Sequence, residues 1–301
     1  MRKILLLILF FSISLISNAQ YKWDVGGKLG VSNYLGDIGG GAGTRRDFVP
    51  DMKMSETRFA AGAFGRCKIH PKVSLQFGLD YAHIQGDDKL SLNPARHDRN
   101  LNFQNNIFEL NLLAQYYFYE INDLGHTYRY RNDFKAYVGA GVAGFHHNPK
   151  SADGTPLEPL ETEGVKYNLY QFAIPYQIGF YFTVNKRYRI GWDLTFRQIF
   201  TDYLDDVHSK YPNPAGYSKA TYDKYVDPTT ELNISQAAKN NYGYFEGKGN
   251  KRGDATHNDS YMTSTINFSY ALRGKSTFYK SNYGSIFKGK KYKKRKFRAK
   301  F

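Results

Sequence analysis

Apolar and polar side chains alternate one by one through eight long stretches of this chain. In the first, Trp23, Val25, Leu29, Val31 and Leu35 alternate with Asp24, Lys28, Ser32 and Tyr34. The second, Arg58 to Ile69, sets Ala61, Ala63 and Gly65 against Phe64, Arg66 and Lys68. The third sets Val73, Leu75, Phe77, Leu79 and Tyr81 against Ser74, Gln76 and Asp80. The fourth sets Phe108, Leu110, Leu112, Tyr116 and Phe118 against Glu109, Asn111, Gln115 and Tyr117. The fifth carries Phe134, Ala136, Val138, Ala140 and Val142, and the sixth Phe172, Ile174, Tyr176, Ile178, Phe180 and Phe182. The seventh sets Tyr188, Ile190, Trp192, Leu194 and Phe196 against Arg189, Asp193, Thr195 and Arg197, and the eighth runs from Met262 to Leu272. A period of two predicts β-strands with unlike faces.

Each stretch spans about 10 to 15 residues. Soluble sandwiches use strands nearer five or six, whereas a bilayer needs about 9 to 11 tilted residues with apolar side chains outward. The polar face carries Asp24, Lys28, Asp80, Glu109, Asp193 and Arg197. Charges of both signs suit a plugged lumen better than the greasy pocket of a soluble lipocalin-like barrel. Asp80, Glu109, Asp193, Lys28, Arg66 and Arg197 are expected to pair inside it, since an unpaired interior charge carries a large desolvation cost.

Connection lengths add direction. The links Asp37–Thr57, Gly86–Phe103, His147–Val165 and Tyr203–Asn258 are long. His70-Pro71-Lys72 and Asn185-Lys186 are tight, and Glu120–Asp133 is intermediate. Short periplasmic turns and long extracellular loops are the outer-membrane arrangement. The expected fold is all-β: an eight-stranded antiparallel transmembrane outer-membrane β-barrel with long extracellular loops and a basic periplasmic C-terminal tail. Both termini then fall in the periplasm. Eight strands leave room for little beyond their own side chains, which argues against a diffusion pore.

Composition separates the ends from the body. The chain has 301 residues, a net charge of +15 and one cysteine, which excludes a disulfide framework. Arg273–Phe301 holds 12 Lys+Arg and no acid; without it and Arg2-Lys3, 28 positive residues face 27 negative ones. A near-neutral body therefore bears a strongly basic tail. Arg2-Lys3, an apolar run from Ile4 to Phe11, and Ser17-Asn18-Ala19 read as a secretory signal cleaved after Ala19. The expected organisation is 1–19 signal peptide, 20–272 barrel and 273–301 tail. Export removes nucleic acid as a partner of the tail. Lys288, Lys290, Lys291, Lys293, Lys294, Arg295, Lys296, Arg298 and Lys300, interleaved with aromatics, are expected to dock an acidic periplasmic surface. Outer-membrane lipid and peptidoglycan are further partners such a segment suits.

Candidate chemistry is thin, and the chain is read as non-enzymatic. Asp37-Ile38-Gly39-Gly40-Gly41-Ala42-Gly43 lacks the Lys-Ser/Thr of a phosphate-binding loop and reads as a flexible first loop. His146, Ser151 and Asp153, or Asp205, Asp206 and His208, could be drawn as a nucleophile, base and orienting group of a lipid-modifying enzyme. Neither set has a defining motif. His83, His97, His208 and His257 lack metal-site spacing, so no metal or cofactor is expected.

The stretch Trp23–Ile38, with its Ser32-Asn33-Tyr34-Leu35-Gly36-Asp37 end, resembles the opening of the PorG-like outer-membrane barrels of the Bacteroidetes type IX secretion system. Strand number, aromatic strands and long loops extend the likeness over most of the mature chain. The resemblance implies a non-enzymatic accessory subunit linked to a periplasmic ring made by a lipoprotein and its partner. That machine exports proteins and, in gliding species, supports motility. The alternative is a binding, adhesion or envelope-tethering barrel acting through its extracellular loops.

Overall fold

The computed structural model describes residues 23–39, 54–91, 93–122, 124, 132–185, 187–231 and 251–272. The chain divides into a unit of Trp23–Ala271 and a second made of the two ends, Met1–Lys22 with Leu272–Phe301. The signal sequence and Arg273–Phe301 lie outside the described residues.

Eight strands carry the alternation: β1 Trp23–Leu35, β2 Arg58–His70, β3 Val73–Asp87, β4 Asn102–Ile121, β5 Asp133–His146, β6 Tyr170–Val184, β7 Tyr188–Ile199 and β8 Ser260–Leu272. Each pairs with the next in antiparallel register. β8 also pairs with β1, so the sheet closes and leaves no edge. Closure depends on glycine at two points: a Cβ at Gly30 would collide with the Ser264 carbonyl of β8, and one at Gly26 with that of Phe268. At Pro175, which has no N–H, the β5–β6 ladder skips from Ala140–Tyr176 to Ala143–Ala173.

Two ends result. The turn end holds Pro71-Lys72 and the β6–β7 turn, where Asn185 takes a left-handed conformation (φ +52°). The loop end holds the four long connections. Two of these are more ordered than their composition suggests. The β3–β4 hairpin stays paired out to Asp87–Asn102, and the long connection that remains carries a 3-10 turn at Asp88–Leu90 and a helix at Pro94–Arg99. Pro149 and Lys150 add a two-residue strand beside Asn105 and Gln104.

The wall faces outward with its apolar residues. Leu29, Phe77, Val142 and Ile266 are each more than half exposed. A belt of this kind on every strand far exceeds the apolar patch a soluble monomer tolerates. Hydrocarbon solvates it, as in transmembrane barrels. No described helix is long and apolar enough to cross a membrane; the strands do the crossing.

Candidate functional site

The lumen is filled in three tiers. Near the turn end, Asp24 faces two cations, Arg189 at 2.6 Å and Arg66 at 3.6 Å. The Arg66 guanidinium also lies over the rings of Tyr181 (4.9 Å) and Tyr137 (5.5 Å), which cluster with Tyr117. Rings with a negative face suit a cation that cannot reach water. In the middle tier Lys28 bonds Asp80 at 2.7 Å. Arg197 bridges Glu109 (2.7 Å) and Asp80 (3.3 Å), and the Tyr261 hydroxyl donates to Glu109 at 2.5 Å. Toward the loop end the filling turns apolar, with Ile84, Phe103, Ile107, Phe145 and Ile199 in one core that continues into Ile38, Leu204 and Val207 of the loops.

The interior charges expected to pair do so, with one difference. Asp193 takes no cation; it accepts from the Tyr137 hydroxyl and from Asn267 at 2.8 Å. Arg189, on the same face by alternation, supplies an ion pair that the charge pattern alone did not assign.

Above the lumen the loops form a cap with its own buried polar network. The Arg99 side chain donates to Asp88 (2.6 Å), to the Arg252 carbonyl (2.5 Å) and to the Asp37 carbonyl (2.8 Å). Arg252 in turn reaches Glu163 (3.1 Å) and the Asp206 carbonyl (2.6 Å). Arg96 donates to the Gly39 carbonyl at 2.7 Å. Two buried arginines thus tie the first, second, third and fourth loops together. The expected flexible loop is corrected here: Asp37, Ile38 and Gly39 are fixed in the cap, because the Ile38 N–H is bonded by Asp205 and that of Gly39 by Asp88. Gly40–Gly43 lie outside the described residues.

Burial shapes the cap's acid–base behaviour. It pushes the Asp205 carboxyl up to about 7, reinforced by the charge of Asp37. It pushes Asp206 up to about 6, against the opposing pull of Arg252. Burial also lowers His147 to about 4, keeping that imidazole neutral. His147 stacks against Tyr167, which stacks on Tyr203, next to His208. This aromatic ladder joins the third loop to the fourth.

The nominated catalytic sets are not hydrogen-bonded relays. Asp153 is held by Lys224 (2.7 Å) and Tyr225 (2.8 Å), Ser151 by Asn102 (3.4 Å), and His146 packs on Tyr170. Asp205 accepts from Tyr34, Asp206 from Thr162 and Tyr167, and His208 pairs with Asp202. His83 meets Asn106, His97 meets Asp98, and His257 meets Asp254. Among the described residues no three His, Cys, Asp or Glu side chains are placed to hold a metal ion. The nominated docking residues Lys288, Lys290, Lys291, Lys293, Lys294, Arg295, Lys296, Arg298 and Lys300 lie outside the described residues. Sequence reasoning missed Arg99, Arg252 and Glu163; single charges in long loops carry no signal of burial.

A closed eight-stranded wall with an apolar exterior and a salt-bridged interior defines an outer-membrane-type β-barrel. Residues 2–227 match the family described as a domain of unknown function, DUF6089, and the chain belongs to that family. No curated protein matches the sequence. Solved outer-membrane proteins match at low similarity. Neisserial surface protein A matches 85% of this chain and 100% of its own at 7% identity and a TM-score of 0.40. OprG of Pseudomonas aeruginosa matches 82% and 94% at 12% and 0.37. Ail, the attachment invasion locus protein of Yersinia pestis, matches 83% and 98% at 8% and 0.33, in a complex with the heparin analogue sucrose octasulfate. Likeness at this level carries no argument about function.

Proposed function

We propose that the protein is a non-enzymatic outer-membrane accessory subunit of type IX protein secretion, which anchors or contacts a periplasmic ring. The observation that carries this reading is the filled lumen. Ion pairs, tyrosines and an apolar core occupy the interior between the turn end and the cap. A barrel filled in this way serves as a fixed point in the membrane rather than as a conduit. Charge supports the side on which a partner would sit. β8 ends at the turn end, where Lys72 and Arg187 also lie, and the 12 cations of Arg273–Phe301 follow it. With the turns in the periplasm, this basic end faces an acidic ring component. The Asn33–Asp37 segment, which carries the resemblance to PorG-like barrels, adds the type IX assignment and with it a Bacteroidetes source.

The test is affinity purification from cross-linked, mildly solubilised envelopes, comparing the full chain with a form ending at Phe287. The full chain is expected to bring down a periplasmic lipoprotein and its partner, and the truncation to lose them. Normal secretion in a clean deletion strain would overturn the reading. A second reading, adhesion or tethering through the loops, is favoured by the ordered cap and a cleft of about 610 Å³ between Pro159–Gly164 and Pro212–Thr221. It predicts that loop deletion abolishes function while tail deletion leaves it intact.

A further inference from the structure

The outer wall of the barrel carries an apolar groove of about 840 Å³ across β2 to β6. Register explains it. Ala61 lies opposite Tyr81, Tyr81 opposite Phe108, Phe108 opposite His146, and His146 opposite Tyr170. These outward side chains make one wall. Leu79, Leu110, Gly144 and Phe172 are likewise opposite one another and make the second, one pleat nearer the turn end. The residues between, Asp80, Glu109 and Phe145, point inward and leave backbone as the floor.

The two walls differ chemically. The loop-side wall carries polar tips: the Tyr81 hydroxyl, bonded to Asn106 at 2.8 Å, and the His146 ring, 4.8 Å from that of Tyr170. The second wall is wholly apolar and drops at Gly144, where a Cβ would meet nothing nearer than the Phe172 ring at 4.0 Å. Tyr170 and Phe172 are 71% and 75% exposed, ahead of the rest of the apolar belt.

Dimensions select the occupant. The walls are two residues apart on each strand, about 7 Å. A helix about 10 Å across does not enter such a slot, and an extended peptide would bring backbone groups that hydrocarbon leaves unsatisfied. A single hydrocarbon chain fits. Five strands at about 4.8 Å spacing give a run of about 19 Å, on the scale of the roughly 15 Å of hydrocarbon in one leaflet. The groove is continuous with the lipid-facing belt. The geometry points to a specific site for the acyl chain of a bilayer lipid, lying across β2–β6 with its headgroup at the loop-side wall beside His146 and Tyr170.

The experiment uses the full chain in phosphatidylethanolamine vesicles containing a trace of the same lipid with a diazirine in one acyl chain. After photolysis, label is expected to concentrate on peptides holding Phe108, Gly144–His146 and Tyr170–Phe172, above those holding Ile266 and Phe268. Gly144→Leu should fill the groove and cut that labelling by about fivefold. Ala140→Leu, outward on the same strand but beyond the groove, should not. Even labelling around the belt, or labelling unmoved by Gly144→Leu, would overturn the site. If Gly144→Leu fails to fold, Phe172→Ala removes part of the wall and should abolish the selectivity; retained selectivity would count against the proposal. In native envelopes, a cross-link from these peptides to another protein in place of lipid would also overturn it.

Discussion

The Tyr34 hydroxyl lies 2.6 Å from a carboxylate oxygen of Asp205 and 2.8 Å from one of Asp259, although 171 residues separate Tyr34 from Asp205. The same oxygen accepts from the Asp37 N–H at 2.9 Å. A hydroxyl has one proton to donate, so the two carboxylates share it. The end of β1 is thereby locked to the loop after β7 and to the start of β8.

Removing that hydroxyl should loosen the cap and spare the wall. Tyr34→Phe leaves the Asp37 N–H and two acids without their shared partner. The expected cost is about 1–3 kcal/mol of local stability. Amide exchange at Ile38 and Leu204 should accelerate, while the heat-modifiable gel mobility of the barrel stays unchanged.

The cap should also respond to pH. A carboxyl whose pKa is higher folded than unfolded binds more protons in the folded state between the two values, so stability falls as pH rises through that window. For Asp205 the window runs from about 4 to about 7, and for Asp206 to about 6. His147 acts the other way, adding stability as pH rises from about 4 toward 6.5. Above pH 6.5 Asp205 dominates. Loop protease resistance should drop between pH 6.5 and 8, and Asp205→Asn should flatten that drop. Equal slopes in the two proteins would rule out the shared-proton lock.

In the lumen, Arg197→Ala takes the cation from Glu109, while Asp80 keeps Lys28. Breaking a buried pair by removing one member costs about 3–5 kcal/mol. Urea unfolding in micelles should show that loss, and adding Glu109→Gln should recover part of it.

Closure is a sensitive point of the wall. Gly30→Val places side-chain atoms where the Ser264 carbonyl of β8 lies. The β1–β8 seam should then fail to zip, seen as loss of the compact, heat-modifiable form.

The candidate chemistry was legible unevenly. Arg66, Arg197 and Glu109 were identifiable as interior charges, since which face a residue takes depends only on its parity along the strand. Their partners were not: Asp24 meets Arg66 and Arg189, and Lys28 meets Asp80 on β3, because strand register and barrel stagger bring those positions together. The resemblance-bearing Asn33–Asp37 segment is a case of its own. Its tyrosine proved to be the knot of the cap, so the segment records how the loops lock.

The sequence alone determined the eight strands, their apolar faces, the short and long connections, and the division of charge between body and tail. These are local properties, set by period-two alternation and by composition. Only the tertiary structure decided that Tyr34 joins Asp205 and Asp259, that Arg99 and Arg252 knit the loops, and that outward rows on five strands border one groove. Each of those joins residues far apart in the chain, and such contacts exist only once the sheet has closed and fixed their register.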